Sequence, residues 1–369
     1  MAPRGRRRVH RVLEEIRDLF ACAAVSRAWR AGCAAVRRLG LWPDQGPYLV
    51  YSSADRDPGT ATLHNISTGR SFHAALPDPP FRSRYIVGSS RGWFVTADER
   101  SHLHLLNPVT GAQIALPPPG TMFGVGPSFN SHGKFRAYCI HKLDAKGRCL
   151  NHRVDPQVRG PSKLRHYLYH KSCLCTGLNY EHLSFARVGD TRWTWLDAME
   201  NCMCYRDFVY NDKDGLFYAV RGNGEIHTVD LRGPSPEVKV VYKVESRIMS
   251  YTRYLVQAPW GDLLQVRRQY GDPTSNTLDS DYGYESSHAL FIGFNSGFLV
   301  QTRDYPILVS NCVYVTDDYT DDIFCHPHGE QQLARVSLED GSFTDLPVAD
   351  SLLNWPPPVW FRPSSFVQI

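Results

Sequence analysis

The stretch Leu103–Pro117, LHLLNPVTGAQIALP, decides the fold, because Leu63–Pro77, LHNISTGRSFHAALP, repeats its plan. Each is a strand-like run, a tight glycine turn and a second run that ends at Leu-Pro. Leu333–Pro347, LARVSLEDGSFTDLP, is a third copy, with Gly341 as far ahead of Leu346 as Gly111 is ahead of Leu116. Ile226–Leu231, IHTVDL, resembles the first strand of the same unit. Gly69 and Gly111 lie 42 residues apart, a spacing on the scale of one propeller blade. Residues 44–363 then hold six to seven such units once insertions are allowed. The period predicts an all-β chain folded as a β-propeller of about six to seven blades. A pair of β-sandwiches is the competing architecture.

Around these copies the same texture continues. Runs of three to six strand-forming residues occur at Tyr48–Tyr51, Trp93–Thr96, Leu216–Val220, Glu225–Asp230, Leu263–Arg267, Leu290–Ile292 and Val313–Thr316. Turn signals such as Asp214-Gly215, Asn223-Gly224 and Asp340-Gly341 separate them. Propellers remove exposed edges by closing into a ring. Residues near 44–52 and 355–367 are therefore expected to lie side by side.

Ahead of Pro43 the pattern changes. Val12, Ile16, Leu19, Phe20, Ala23 and Ala24 recur at three- and four-residue steps, the period of one helix face. Asp18 can cap a second helix over Ala21–Cys33 that carries Trp29, and Gly40 with Pro43 ends the helical region. The expected organisation is a basic tail over 1–11, helices over 12–42 and a β domain over 43–369. Residues 1–38 hold ten arginines against Glu14, Glu15 and Asp18, so the whole chain's net charge of +4 hides a slightly acidic body. An acidic body argues against a nucleic-acid surface. Hydrophobic residues at 42% and charged residues at 21% exclude wholesale disorder.

Several stretches across almost the whole chain carry a family resemblance. They are Ser83–Pro117, Leu183–Leu196 (LSFARVGDTRWTWL), Asp214–Leu231, Val256–Val266 (VQAPWGDLLQV), Asn311–Asp318 and Trp355–Pro363 (WPPPVWFRP). In these segments the chain is similar to the plant F-box proteins that carry a KIB-type β-propeller, a domain long catalogued as of unknown function. The resemblance implies a propeller that binds a protein substrate or partner. At the N-terminus Ile16, Asp18-Leu19 and Val25–Arg30 (VSRAWR) resemble the later half of an F-box. Its usual opening Leu-Pro is replaced by Arg4–Arg11, and Ser26 stands where a cysteine is usual. An F-box docks helix faces onto the Skp-type adaptor of a cullin ubiquitin ligase. The resemblance thus implies adaptor contacts at Val12, Ile16, Leu19, Val25 and Trp29. The shortened module leaves open a propeller interaction protein that makes no adaptor contact.

The remaining motifs have plain readings. No run approaches a membrane span, and no apolar stretch follows the basic start as a secretion signal requires. Ten cysteines, with Cys173/Cys175 and Cys202/Cys204 but no C-x-x-C, read as reduced thiols of an intracellular protein, cytoplasmic or nuclear. Arg4–Arg8 is either an import signal or a solvated tail. Gly222-Asn223-Gly224 is a hairpin turn rather than a phosphate loop, since position 227 is His and no helix follows. Asp317, Asp318, Asp321 and Asp322 lack the spacing of a calcium loop, and His326 with His328 fits an exposed loop. Asp279 and Asp281 are the only motive for a glycosidase, and no nucleophile–base arrangement is visible. No enzyme, cofactor or metal is expected. Trp93, Trp193, Trp195, Trp260, Trp355 and Trp360 should be blade core, except where one lines a mouth and anchors a partner. Binding is expected in the long polar loops Asp144–Lys163 and Tyr270–Ser287.

Overall fold

A computed structural model describes residues 25–28, 46–122, 125–133, 135–140, 142–143, 149–151, 174–176, 183–187, 189–196, 205–244, 252–268, 278–279, 287–317, 333–347 and 351–363. From residue 46 onward the regular structure described there is β, apart from three short 3-10 turns. No described helix is long and apolar enough to cross a membrane.

The chain lays down one antiparallel meander after another. β1 (Tyr48–Ser53), β2 (Thr60–Asn65) and β3 (Arg70–Ala75) come first. β4 (Tyr85–Ser90), β5 (Trp93–Ala97), β6 (Leu103–Leu106) and β7 (Gln113–Ala115) pair in chain order. Two ribbons follow, β8 (Val125–Phe129) with β9 (Phe135–Ile140), and β10 (Lys142–Leu143) with β11 (Cys149–Asn151). β12 (Leu174–Thr176), β13 (Leu183–Phe185) and β14 (Thr194–Leu196) make a three-stranded sheet. β15 (Tyr205–Asn211), β16 (Leu216–Arg221), β17 (Ile226–Asp230) and β18 (Glu237–Tyr242) make a four-stranded one. β19 (Thr252–Gln257), β20 (Leu263–Arg268) and β21 (Leu278–Asp279) form the next sheet. β22 (His288–Ile292), β23 (Phe298–Gln301), β24 (Cys312–Thr316), β25 (Leu333–Ser337) and β26 (Phe343–Asp345) then pair in the order β23-β22-β24-β25-β26, with β22 and β24 parallel. Finally β27 (Leu352–Leu353) and β28 (Val359–Phe361) return to β1.

This is an all-β propeller, as the repeat predicts. Among the described residues four sheets carry four or five strands. The expected six to seven blades are thereby corrected to four of full size. The period counts outer hairpins (the copies fall on β2–β3, β6–β7 and β25–β26), and a hairpin at the expected interval need not sit on a complete sheet. The predicted strand runs all fall on strands, to within two residues at either end.

β28 pairs with β1 as Tyr48↔Phe361, Leu49↔Trp360 and Val50↔Val359. Alternate residues of a strand face opposite sides, so this ribbon serves two cores at once. Tyr48, Val50, Val359 and Phe361 join Phe94 and Leu106 in one cluster. Leu49, Tyr51 and Trp360 join Phe291 and Tyr314 in another. Trp360 and Trp193 are core; Trp195 and Trp260 are exposed, while Trp93 and Trp355 are half-buried. Arg84 is fully buried yet satisfied, donating to the carbonyls of Pro77 and Pro79, to Thr96 Oγ1 and to Gln113 Oε1. Burial pulls its pKa down to about 10.

Candidate functional site

Three hairpin tips from three sheets meet. The β4–β5 tip turns through Arg91 and Gly92, both at positive φ (51° and 81°), with Ser90 opposite Trp93. That is the primed geometry a two-residue hairpin favours, and asparagine or glycine normally occupies the place of Arg91. Its guanidinium reaches the β15–β16 tip, where it lies 2.5 Å from Asp212 Oδ1 and 4.6 Å over the Tyr210 ring. In that tip Asn211 Oδ1 accepts at 2.7 Å from Gln257 Nε2, which tethers it to β19. The β19–β20 tip completes the group. Its Gly261 has φ +114°, and a side chain there would run into the ammonium of Lys213.

Trp260 stands on this last tip, 41% exposed. Its Nε1 donates to Asp262 Oδ2 at 2.7 Å, and its ring meets the buried His288 edge-on at 5.3 Å. The His288 carbonyl accepts from the Asn311 amide, which links the β23–β24 connection to the same group. That connection exposes Ile307 (62%) and Val309 (40%) on either side of buried Leu308.

A second polar group is buried between β15–β18 and the next sheet. Tyr205 Oη and His227 Nδ1 are 2.6 Å apart, both residues almost wholly buried. His227 Nε2 lies 3.4 Å from Glu225 Oε2, close enough for attraction but without hydrogen-bond geometry. Arg221 Nη1 meets the same carboxylate oxygen at 3.1 Å. From the neighbouring sheet Arg253 Nε donates to the Gly222 carbonyl and Gln265 Nε2 to the Gly224 carbonyl. Asp207 Oδ2 accepts from the Leu255 amide across the same joint. Burial pushes the Tyr205 phenol up to about 12, away from any nucleophilic role. The group joins two sheets, and its Tyr205 and His227 side chains are shut off from solvent.

The sequence-derived positions scatter. Of the five residues implied as adaptor contacts, Val25 alone is described, and it is 69% exposed; Val12, Ile16, Leu19 and Trp29 lie outside the described residues, with the basic tail. Gly222–Gly224 forms the turn between β16 and β17 as expected. Asp279 lies on β21, whereas Asp281, Asp318, Asp321, Asp322, His326, His328, Cys173, Cys202 and Cys204 fall outside the described residues. Loop Asp144–Lys163 is described only at residues 149–151, and loop Tyr270–Ser287 only at residues 278–279 and 287. Among the described residues no group of three metal-ligating side chains converges. The tip cluster itself is not legible in the sequence; only the alternative of an exposed tryptophan points to it.

Comparison with known proteins gives a family. Residues 63–329 match the family described as KIB1-4 beta-propeller. No curated protein matches the chain. Among solved structures, a Bacteroides uniformis protein assigned as a 6-phosphogluconolactonase is similar at 11% identity, covering 86% of this chain and 100% of that one, with a TM-score of 0.34. The β-propeller domain of Cps50 (Swd1) from Myceliophteria thermophila is similar at 10% identity, covering 82% and 86%, with a TM-score of 0.32.

Proposed function

The chain belongs to the KIB1-4 β-propeller family, and from that premise we propose that it is a protein-binding module, the substrate receptor of a Skp–cullin–F-box ubiquitin ligase. In this reading the propeller holds a protein substrate and the F-box-like segment over residues 12–42 holds the adaptor, in the cytoplasm or the nucleus. One observation supports the second half. Val25, an apolar residue at an implied adaptor contact, is 69% exposed, and Ser26, Arg27 and Ala28 beside it are exposed too. An apolar position left uncovered by the propeller is free to be buried by a partner. The protein is read as non-catalytic, since the buried Tyr205–His227 pair lacks the activation and access that chemistry requires.

Binding of purified Skp-type adaptor to the full chain, measured by calorimetry, tests this. Val25→Asp should weaken it by about tenfold, the scale of one lost apolar anchor, while the melting temperature stays put. Adaptor binding by neither protein leaves the propeller as an interaction protein outside the ligase. Equal binding by both removes Val25 from the contact.

A further inference from the structure

We propose that the face built by Arg91, Lys213, Trp260 and Asp262 docks an extended protein segment in which an acidic side chain stands beside an apolar one. This rests on the protein-binding reading above and adds to it the place and the chemistry of the partner. Arg91 is occupied by Asp212. Asp214 is occupied within its own turn, accepting from Tyr218 Oη, Asn211 Nδ2 and the Leu216 amide. Asp262 accepts from the indole, and in the neighbouring connection Arg303 lies 3.7 Å from Asp304. Lys213 is the remaining cation. No carboxylate among the described residues pairs with it, and its ammonium lies against Gly261, the residue next to Trp260.

The indole supplies the other half. Its only polar atom already has a partner in Asp262, and the edge contact with His288 fixes the ring plane. The exposed ring surface therefore offers a broad apolar contact, and it loses little side-chain entropy when covered. An ammonium and a fixed aromatic surface, side by side on rigid hairpins, select an anionic group adjoining a hydrophobic one. The left-handed backbone at Arg91 fits this use. A residue held where glycine or asparagine is at ease carries strain, and here it sends a guanidinium to the exposed carboxylate beside Lys213, leaving that ammonium uncontested.

Selection of random twelve-residue peptides displayed on phage against the immobilised full chain tests the proposal. Peptides retained by the natural protein should be enriched about threefold in Asp or Glu within two positions of an aliphatic or aromatic residue, the scale of one exposed ion pair. Lys213→Glu should replace that acidic preference with Lys or Arg, and Trp260→Ala should lower retention about tenfold. Both positions are on the surface, so thermal melts should remain unchanged. No retained peptides, peptides without acidic enrichment, or a consensus indifferent to Lys213→Glu would each overturn the assignment. None of these outcomes bears on adaptor binding through Val25, so the two readings fail separately.

Discussion

His227 stays neutral near pH 7 because burial lowers its proton affinity more than the neighbouring Glu225 raises it, with Arg221 adding to the lowering. Tyr205 faces one ring nitrogen and Glu225 the other, which suits the tautomer with its hydrogen on Nε2. The remaining charged groups nearby are turned elsewhere: Arg253 to Gly222 and Gln265, Asp207 to the amides of Phe208 and Leu255, and Lys239 outward to Glu237. The unfolded chain therefore takes up the proton first as pH falls through its unperturbed value of 6.5. The stability that depends on neutral His227 is complete above that pH and is lost below it, by up to about 1.4 kcal/mol per pH unit until the folded group titrates. His64 and His104 are shifted the same way, with burial the leading cause in each. Urea unfolding at pH 7.0 and at successively lower values should show this acid limb, shallower in His227→Gln. The alkaline limb has the opposite sign. Tyr205 titrates near 12 in the fold, so its contribution is complete below about pH 10 and is lost as pH rises toward 12. An acid slope as steep in His227→Gln as in the natural chain would remove His227 from this account.

The hairpin is the element that the sequence announces most clearly, and its turn chemistry shows why. In Asn65–Gly69, Asn107–Gly111, Asn211–Gly215 and Ser337–Gly341 the carbonyl of the first residue accepts the glycine amide at 2.9–3.0 Å. In the three asparagine turns the side-chain oxygen also accepts a backbone amide two residues on, as Asn107 Oδ1 does from Val109. Gly111 sits at φ +71°, where a side chain would meet the Ala75 carbonyl and Pro77 only at ordinary contact distance but would force the left-handed backbone. Gly111→Ala should thus cost about 1–2 kcal/mol from backbone strain alone. Asn107→Ala should cost about as much by freeing two amides, both read as shifts of the urea midpoint. These turns are local, so spacing alone reveals them. The joints between sheets are not local: Asp207 meets Leu255 and Arg253 meets Gly222 across gaps that no motif spans. β15 (YRDFVYN) shows no strand alternation because its Asp207 is wholly buried at a bulge, its carboxylate spent on backbone amides. The tip cluster was hidden for the same reason, since Arg91, Lys213 and Trp260 come together only through folding.

At the scale of the molecule, β27 and β28 both close onto β1, and β28 alone carries core side chains on both its faces. β28 contributes three residues, yet Val359 and Phe361 enter one core while Trp360, between them, enters another. Phe361 meets Phe94 edge-on at 5.3 Å, Trp360 meets Phe291 at 5.2 Å, and nearby Trp355 meets Tyr85 at 4.7 Å. Losing this strand would expose the edge of β1 along with two apolar clusters, so the cost should spread well beyond one sheet. Trp360→Ala removes a fully buried side chain and should destabilise by about 3–5 kcal/mol. Trp195→Ala, at a position 38% exposed, is the matched control and should cost about 1 kcal/mol or less. Ending the chain after Leu353 should go further and abolish the single cooperative transition, since both cores lose their shared wall. Near-UV circular dichroism and calorimetry of the two substitutions and the shortened chain make the comparison. A shortened chain that still melts in one sharp transition at the natural temperature would mean that the ring holds without its closing strand, and that the two cores are joined by some other contact.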